Sequence, residues 1–568
     1  MRLLLVLLYL VMATQAKQYK ILMFTPKFAH SHTSYMGKIA DTLVEAGHDV
    51  TVFLPEISKN VKNNGTKLAK TLGMPPCAKV LKQFEGDAYF MNSWTAGSKN
   101  PIGQHQLMSF VADTMAMQCE ELMKHDEIFK YFKSQKFDLG IVEIFDMCGL
   151  GFFEAIGLKK TIVTSSTILF DGISRAIGVP HEPSYVPAGN EKNPNLSGRK
   201  ERSIKNSNIE QAKITHIQDL RSYPKPDYRS LGSFSTVGES MTFMERLSNF
   251  ISLHHIGYFF HDDVKKQELK LYREKFGQDF PDFDELIARA TFVFANSEPI
   301  IDFARPLLGK VISIGGIGVP TPQPLDSFWS DVLKKREKTV LMSFGSFAQS
   351  YVMPQEMKKA VKETMRRFPD VTFIWKYENE DDNIGADLPN LVAKAWVPQN
   401  DLLNHANLSA FITHAGMNSL IESSHRGVPL ITIPLFGEQL RNAEMIKKLG
   451  TSVKVDKEGL FCVDIMEAAL KEVLNNRAYH KQAERVSQMI KNRPISIKES
   501  LVKHVEFAAE FGQMPTFDPA GRHLSWFVYY SLDVYLAISL VASLSLFIVS
   551  RIGLAGWKML VGEKKKVE

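Results

Sequence analysis

Apolar residues fall into short runs separated by amphipathic stretches, an alternation that predicts a parallel α/β architecture. Tyr19–Thr25 is a β-rich run ending at Pro26. Thr33–Ala46 then carries Met36, Ile39, Ala40, Leu43 and Val44 on one helical stripe, and Asp49–Leu54 follows Gly47 as a second strand. This βαβ opening has no G-x-G-x-x-G, so it does not support a bound dinucleotide. Leu139–Val142 and Thr161–Ser165 extend the sheet, Phe243–Phe260 and Asp262–Phe276 read as helices, and Phe292–Asn296 as a strand. Gly309–Pro324, rich in Gly and Pro, marks a hinge. Beyond it Thr339–Phe344, Val371–Lys376, Leu391–Trp396, Leu408–Thr413 and Leu430–Pro434 read as strands. Helices are predicted at Gln355–Phe368, Asn418–Arg426, Glu438–Leu449, Val463–Leu474 and Tyr479–Lys491. The pattern divides into Rossmann-like domains at 17–310 and 337–495, a linker at 311–336 and a return segment with juxtamembrane residues at 496–523.

The two ends depart from this rhythm. Arg2, the apolar core Leu3–Met12 and the small residues Thr14 and Ala16 predict a secretory signal over residues 1–16. Trp526–Val549 is long enough to cross a lipid bilayer, with Trp526, Tyr529, Tyr530 and Tyr535 as an interfacial belt. We therefore expect a membrane span over 524–550. Arg551, Lys558 and Lys564–Lys566 place the tail, 551–568, in the cytosol, which makes the chain a single-pass type I protein. Its last four residues, Lys565-Lys566-Val567-Glu568, resemble a dilysine retrieval signal and point to the endoplasmic-reticulum membrane.

Composition narrows the possibilities. The chain has 568 residues, 45% hydrophobic, with room for several cores. A net charge of +6 without a basic face gives no reason to expect nucleic acid. Cys77, Cys119, Cys148 and Cys462 include no CxxC pair, so no zinc site is expected. In an oxidising lumen they can pair, in a pattern the sequence does not reveal. Asn64, Asn195 and Asn407 begin N-glycosylation sequons, of which the last lies in a predicted strand and is expected to stay unmodified.

Candidate chemistry concentrates between Trp396 and Asn442. His414-Ala415-Gly416 breaks an apolar strand just before a helix for which Asn418 or Ser419 is a plausible cap. Free N–H groups at such a helix start attract a diphosphate. Glu422 lies one turn further on, at the right distance for a ribose hydroxyl.

The ordered set W-x-P-Q, L-L-x-H, F-I-T-H, G-x-N-S, the helix Glu, G-V-P and P-L-F-G with the following Gln resembles the signature of the UDP-glycosyltransferase family. The layout is most like that of animal UDP-glucuronosyltransferases. The resemblance implies two Rossmann-like domains facing a cleft, plus one C-terminal transmembrane helix. It implies that Trp396 stacks on uracil, that Gln399 and Glu422 meet the uridine, and that Ser346, His414, Gly416, Asn418 and Ser419 hold the diphosphate. Glu438 and Gln439 would hold sugar hydroxyls. The catalytic base falls on His32, since Ser31-His32 precedes Gly47-His48-Asp49-Val50-Thr51-Val52 as in the family. A His with its ordinary pKa near 6.5 is suited to take a proton near neutrality. The carboxylate that orients it falls on Glu143, counted back from Cys148, with Asp146 as an alternative. No cofactor or metal is implied: the co-substrate is UDP-glucuronate or UDP-glucose, and the acceptor is a small lipophilic molecule. Homo- or hetero-oligomers are compatible with it.

Three positions depart from the family's usual residues: Glu143 and Glu438 stand for Asp, and Ala415 for Gly. A methyl at 415, where backbone approaches phosphate, predicts weaker UDP binding. The departures also motivate an alternative, a catalytically impaired, membrane-anchored UDP-sugar-binding or regulatory partner. Residues 190–230, polar and nearly free of aromatics, are absent from the family's usual spacing and are expected to form a mobile insertion.

Overall fold

The computed structural model describes residues 17–59, 61–83, 93–95, 101–180, 243, 246–247 and 259–564. The signal, the insertion, most of the helix expected at Phe243–Phe260, the Asn195 sequon and the tail's last four residues lie outside them. Residues up to Phe517 form one compact unit and Asp518–Glu568 a second.

The first unit holds two wholly parallel sheets. One has seven strands: β1 (Lys20–Phe24), β2 (Asp49–Pro55), β3 (Lys70–Met74), β4 (Leu139–Glu143), β5 (Thr161–Ser165), β6 (Phe292–Ala295) and β7 (Val311–Ser313), in the order β3-β2-β1-β4-β5-β6-β7. The other has six: β8 (Lys338–Ser343), β9 (Val371–Lys376), β10 (Leu391–Lys394), β11 (Leu408–Thr413), β12 (Leu430–Thr432) and β13 (Ser452–Lys454), in the order β10-β9-β8-β11-β12-β13. Strand order reverses between β1 and β4 in the first sheet and between β8 and β11 in the second. Such switch points open a crevice beyond the carboxyl ends of the strands, where parallel sheets bind ligands. Apolar clusters cover both faces of each sheet, as buried parallel strands require.

Three strands had no sequence signal. β3 is an exposed edge with lysine at its head and glycine inside, β7 lies in the expected hinge, and β13 has only three residues. By analogy with the family the last predicted helix, Tyr479–Lys491, is expected to cross back to the first domain, and here the structure differs. Arg477–Lys491 stays with the second sheet, where Ser487 Oγ donates to the carbonyl of His425 at 2.6 Å. Ile497–Phe511 crosses back instead, placing Leu501, Val505, Ala508 and Ala509 in the cluster under β1 and β2. Trp94, from the first half, is buried in the second sheet's core, with its indole N–H donating to the carbonyl of Gln349 at 2.8 Å.

Cys119 and Cys148 form a disulfide, while Cys77 and Cys462 are free thiols. Beside the disulfide lie two buried carboxyls, Asp146 and Glu268. Burial pushes Asp146 up to about 6, and burial, then the charge of Asp146, pushes Glu268 well above the usual range. Raised acid pKa values stabilise the fold while the proton is bound, and that contribution is lost as pH rises through them. Thermal melts are therefore expected to show the melting temperature of the wild-type protein falling as pH rises from about 4 through 6 and above, and Glu268→Gln flattening that fall.

In the second unit a short helix, Trp526–Tyr529, ends before Ser531, whose φ is 54°, and a long one runs from Leu532 to Lys564. The apolar stretch is Leu532–Met559, of mean hydropathy 2.2, long enough to cross a membrane. It begins later than the expected span because the chain breaks at Ser531, and it also ends later.

Candidate active site

His32 sits in the first turn of α1 (His30–Glu45), just beyond β1, and Glu143 ends β4. The first switch point thus brings together two residues far apart in sequence. Nδ1 of His32 lies 2.7 Å from Ser166 Oγ and 3.5 Å from Glu143 Oε2. Glu143 is fully buried and accepts three hydrogen bonds: the N–H of Ser166 at 3.1 Å, its hydroxyl at 3.0 Å and the N–H of Phe145 at 3.2 Å. Asp146 is occupied elsewhere, accepting the N–H of Cys148 at 2.9 Å beside Glu268, so Glu143 is the carboxylate at the histidine. Aromatic rings wall this point: Phe145 is 4.9 Å from the His32 ring and 4.7 Å from Phe260 (centroid distances), and Phe28 is 6.1 Å from His32.

The second switch point gathers the other candidates. Helix α2 (Met417–Arg426) begins after Gly416, with no side chain capping it. Asn418 and Ser419 are therefore inside the helix rather than caps. Asn418 Oδ1 accepts from Asn296 Nδ2 at 2.8 Å, and Ser419 Oγ lies 3.4 Å from Gln399 Nε2. Gln399 also donates to Glu422 at 2.6 Å, which offsets part of the upward pKa shift that burial gives Glu422. The His414 ring lies against Gly345, whose φ is 79°, and Gly416. Burial and the charge of Lys376 push His414 down to about 4, so it is neutral at physiological pH. Ser346 is exposed on the turn after β8. Trp396 is 62% exposed, so it is no core residue. Its ring is 5.6 Å from that of His30, across the cleft, and Lys376 Nζ lies 5.8 Å from it.

Lys376, the last residue of β9, escaped the sequence reading. It donates to the carbonyl of Gly345 at 3.0 Å and to Glu378 at 2.7 Å. Its signal was position alone: the carboxyl end of a buried parallel strand.

Glu438 precedes α3 (Gln439–Lys448), partly buried. Burial raises its pKa and the charge of His32 lowers it, which places the two residues at the same cleft. Gln439 differs from expectation in one respect. Its carbonyl accepts the N–H groups of Leu435 (3.0 Å) and Phe436 (3.3 Å), which leaves its amide NH2 for a ligand.

Ala415 corrects another expectation. It is fully buried and belongs to the apolar cluster behind α2, so its methyl does not obstruct the helix start. Its cost is conformational: φ is 65°, in the left-handed region that disfavours a Cβ. Ala415→Gly is expected to stabilise the fold by about 1 kcal/mol in denaturant titrations, with little change in UDP affinity.

A family model described as UDP-glucoronosyl and UDP-glucosyl transferase matches residues 19–210 and 208–567. The Caenorhabditis elegans protein ugt-47 is 29% identical over 92% of this chain and 90% of its own length. Human UDP-glucuronosyltransferase 1A9 is 26% identical over 95% of this chain and 92% of its own. Among solved structures, Phytolacca americana UGT2, complexed with UDP-2fluoro-glucose and pterostilbene, aligns over 86% of this chain and 99% of its own, with 16% identity and a TM-score of 0.52.

Proposed function

The chain belongs to the UDP-glucuronosyl and UDP-glucosyl transferase family, and on that premise we propose that it moves a hexose or hexuronic acid from a UDP-sugar to a hydroxyl of a small lipophilic acceptor, with inversion. The observation that carries this reading is the meeting of both halves at one cleft: His30, two residues before His32, packs its ring against the exposed Trp396. This contact supports a base and a donor-binding helix start that face the same space.

In this mechanism the acceptor hydroxyl lies against the aromatic wall of Phe28, Phe145 and Phe260, which favours a planar apolar molecule. His32 Nε2 takes the hydroxyl proton as the oxygen attacks the anomeric carbon. Glu143 stabilises the imidazolium that forms. The bond from the anomeric carbon to the β-phosphate oxygen breaks, and its electron pair leaves on UDP. Attack opposite the leaving group inverts the centre. Developing phosphate charge is met by the first N–H groups of α2, by Asn418 and Ser419, by neutral His414 and by Ser346, with Lys376 adding a positive charge on the Gly345 turn. Trp396 stacks on uracil, Gln399 and Glu422 meet the uridine, and Glu438 with the amide NH2 of Gln439 holds sugar hydroxyls.

The disulfide and the C-terminal apolar helix support a protein anchored in the endoplasmic-reticulum membrane with its catalytic part in the lumen. Asn407 is hydrogen-bonded through its amide nitrogen to the carbonyl of Leu333 at 3.0 Å, in keeping with an unused sequon.

The test is turnover by the full-length protein in microsomes with a phenolic acceptor and either UDP-glucose or UDP-glucuronate. A second acidic group beside Glu438 is disfavoured, so UDP-glucose is expected to be a better donor than UDP-glucuronate. UDP binding without turnover of either donor would favour the catalytically impaired partner instead.

A further inference from the structure

Two residues outside every motif connect the histidine to the donor helix. Ser166 Oγ carries one proton. The hydroxyl donates it to Glu143 Oε1, at 3.0 Å. The contact of 2.7 Å between Ser166 Oγ and His32 Nδ1 must then have the ring N–H as donor. This fixes the tautomer: Nδ1 holds the proton and Nε2 keeps the lone pair a base needs. Glu143 Oε2 lies 3.5 Å from Nδ1, too far for a strong hydrogen bond of its own. The hydroxyl therefore makes the short contact that the direct carboxylate pair lacks.

Ser166 is itself held from the second residue. Asn296, 1% exposed at the end of β6, donates its amide NH2 to the Ser166 carbonyl at 2.7 Å and to Asn418 Oδ1 at 2.8 Å. With its oxygen so engaged, Asn418 is left with its own NH2 for a ligand, the polarity a phosphate oxygen requires. Asn296 lies in the first domain and Asn418 in the second, so the bond crosses the cleft.

We propose that Ser166 and Asn296 are positioning residues that join His32 to Asn418 in one hydrogen-bonded chain, Ser166 setting the histidine tautomer and Asn296 setting the orientation of the Asn418 amide. This rests on the glycosyl-transfer reading above, with His32 as base and Asn418 at the diphosphate.

The experiment uses the full-length protein in microsomes and measures kcat, donor KM and UDP affinity for Ser166→Ala, Ser166→Thr, Asn296→Ala and the double variant. Ser166→Ala is expected to lower kcat about tenfold or more at nearly unchanged UDP affinity, and Ser166→Thr, which keeps the hydroxyl, to recover most of it. Asn296→Ala is expected to weaken UDP binding about tenfold as well as lower kcat. The double variant should lose less than the product of the single losses, because both residues act through one chain. The proposal is overturned if Ser166→Ala keeps wild-type kcat, if Ser166→Thr is no better than Ser166→Ala, or if Asn296→Ala binds UDP as wild type does. Should Ser166→Ala melt far below wild type, Ser166→Cys replaces it, since a thiol is a poor hydrogen-bond partner of similar size. A wild-type protein that binds UDP without turnover refutes the transfer reading, and UDP affinity of the Asn296 variant still decides the cross-cleft bond.

Discussion

His32→Ala is expected to lower kcat by about 10²–10⁴-fold, the range that general-base catalysis supplies, while changing UDP affinity little. The expectation comes from the division of labour between the two sheets. His32 belongs to the first switch point and its partners Ser166 and Glu143 to the same sheet, so removing the ring leaves the donor helix start intact. His30→Ala is the informative control. Its ring lies against Trp396, and burial with the charge of Lys376 lowers its pKa, so it is a neutral neighbour of the expected uracil position. It is expected to raise donor KM more than it lowers kcat. Steady-state kinetics with both substrates varied, together with UDP titration, separate the two histidines. If His30→Ala abolishes turnover and His32→Ala does not, the base has been assigned to the wrong residue.

Much of the fold was legible because buried parallel strands need continuous apolar runs, and β1, β4, β8, β9 and β11 have them. What failed did so for physical reasons. β3 and β13 are an exposed edge and a three-residue strand, neither of which leaves a hydrophobic period. Arg477–Lys491 and Ile497–Phe511 are both amphipathic, and amphipathicity says that a helix has a buried face without saying on which sheet. The site divides in a similar way. Residues inside an ordered motif, such as His414, Asn418 and Glu422, stand out as candidates because spacing carries them. Ser166, Asn296 and Lys376 were not found, because a single polar residue at the end of a strand acquires meaning only when the sheet order places it beside a partner. Ala415 shows the limit from the other side. Its departure from the usual glycine was visible, but only φ and burial reveal that the methyl meets the core rather than the phosphate.

Gly416→Ala is expected to weaken UDP binding by roughly tenfold to a hundredfold, the second largest effect predicted for this site. The backbone is not the obstacle: φ at Gly416 is −64°, which any residue adopts. The obstacle is the His414 ring, whose Nε2 would lie 2.4 Å from a Cβ at residue 416. A free side chain would swing away at little cost. This ring has less freedom, because the same Cε1 and Nε2 atoms also lie close to Gly345, where a Cβ would stand 2.8 Å from His414 Cε1. Both glycines lie against the ring, so an added methyl must displace either the histidine or the first turn of α2. Both belong to the proposed diphosphate site, and either shift spoils the alignment of donors on which preorganised charge stabilisation depends. The same geometry separates this effect from misfolding. His414→Ala removes the ring that the methyl strikes, so the double variant His414→Ala/Gly416→Ala is expected to bind UDP no worse than His414→Ala alone. Calorimetric UDP titration of the three variants checks this, and a double variant much weaker than His414→Ala would show that the methyl acts on the helix start itself.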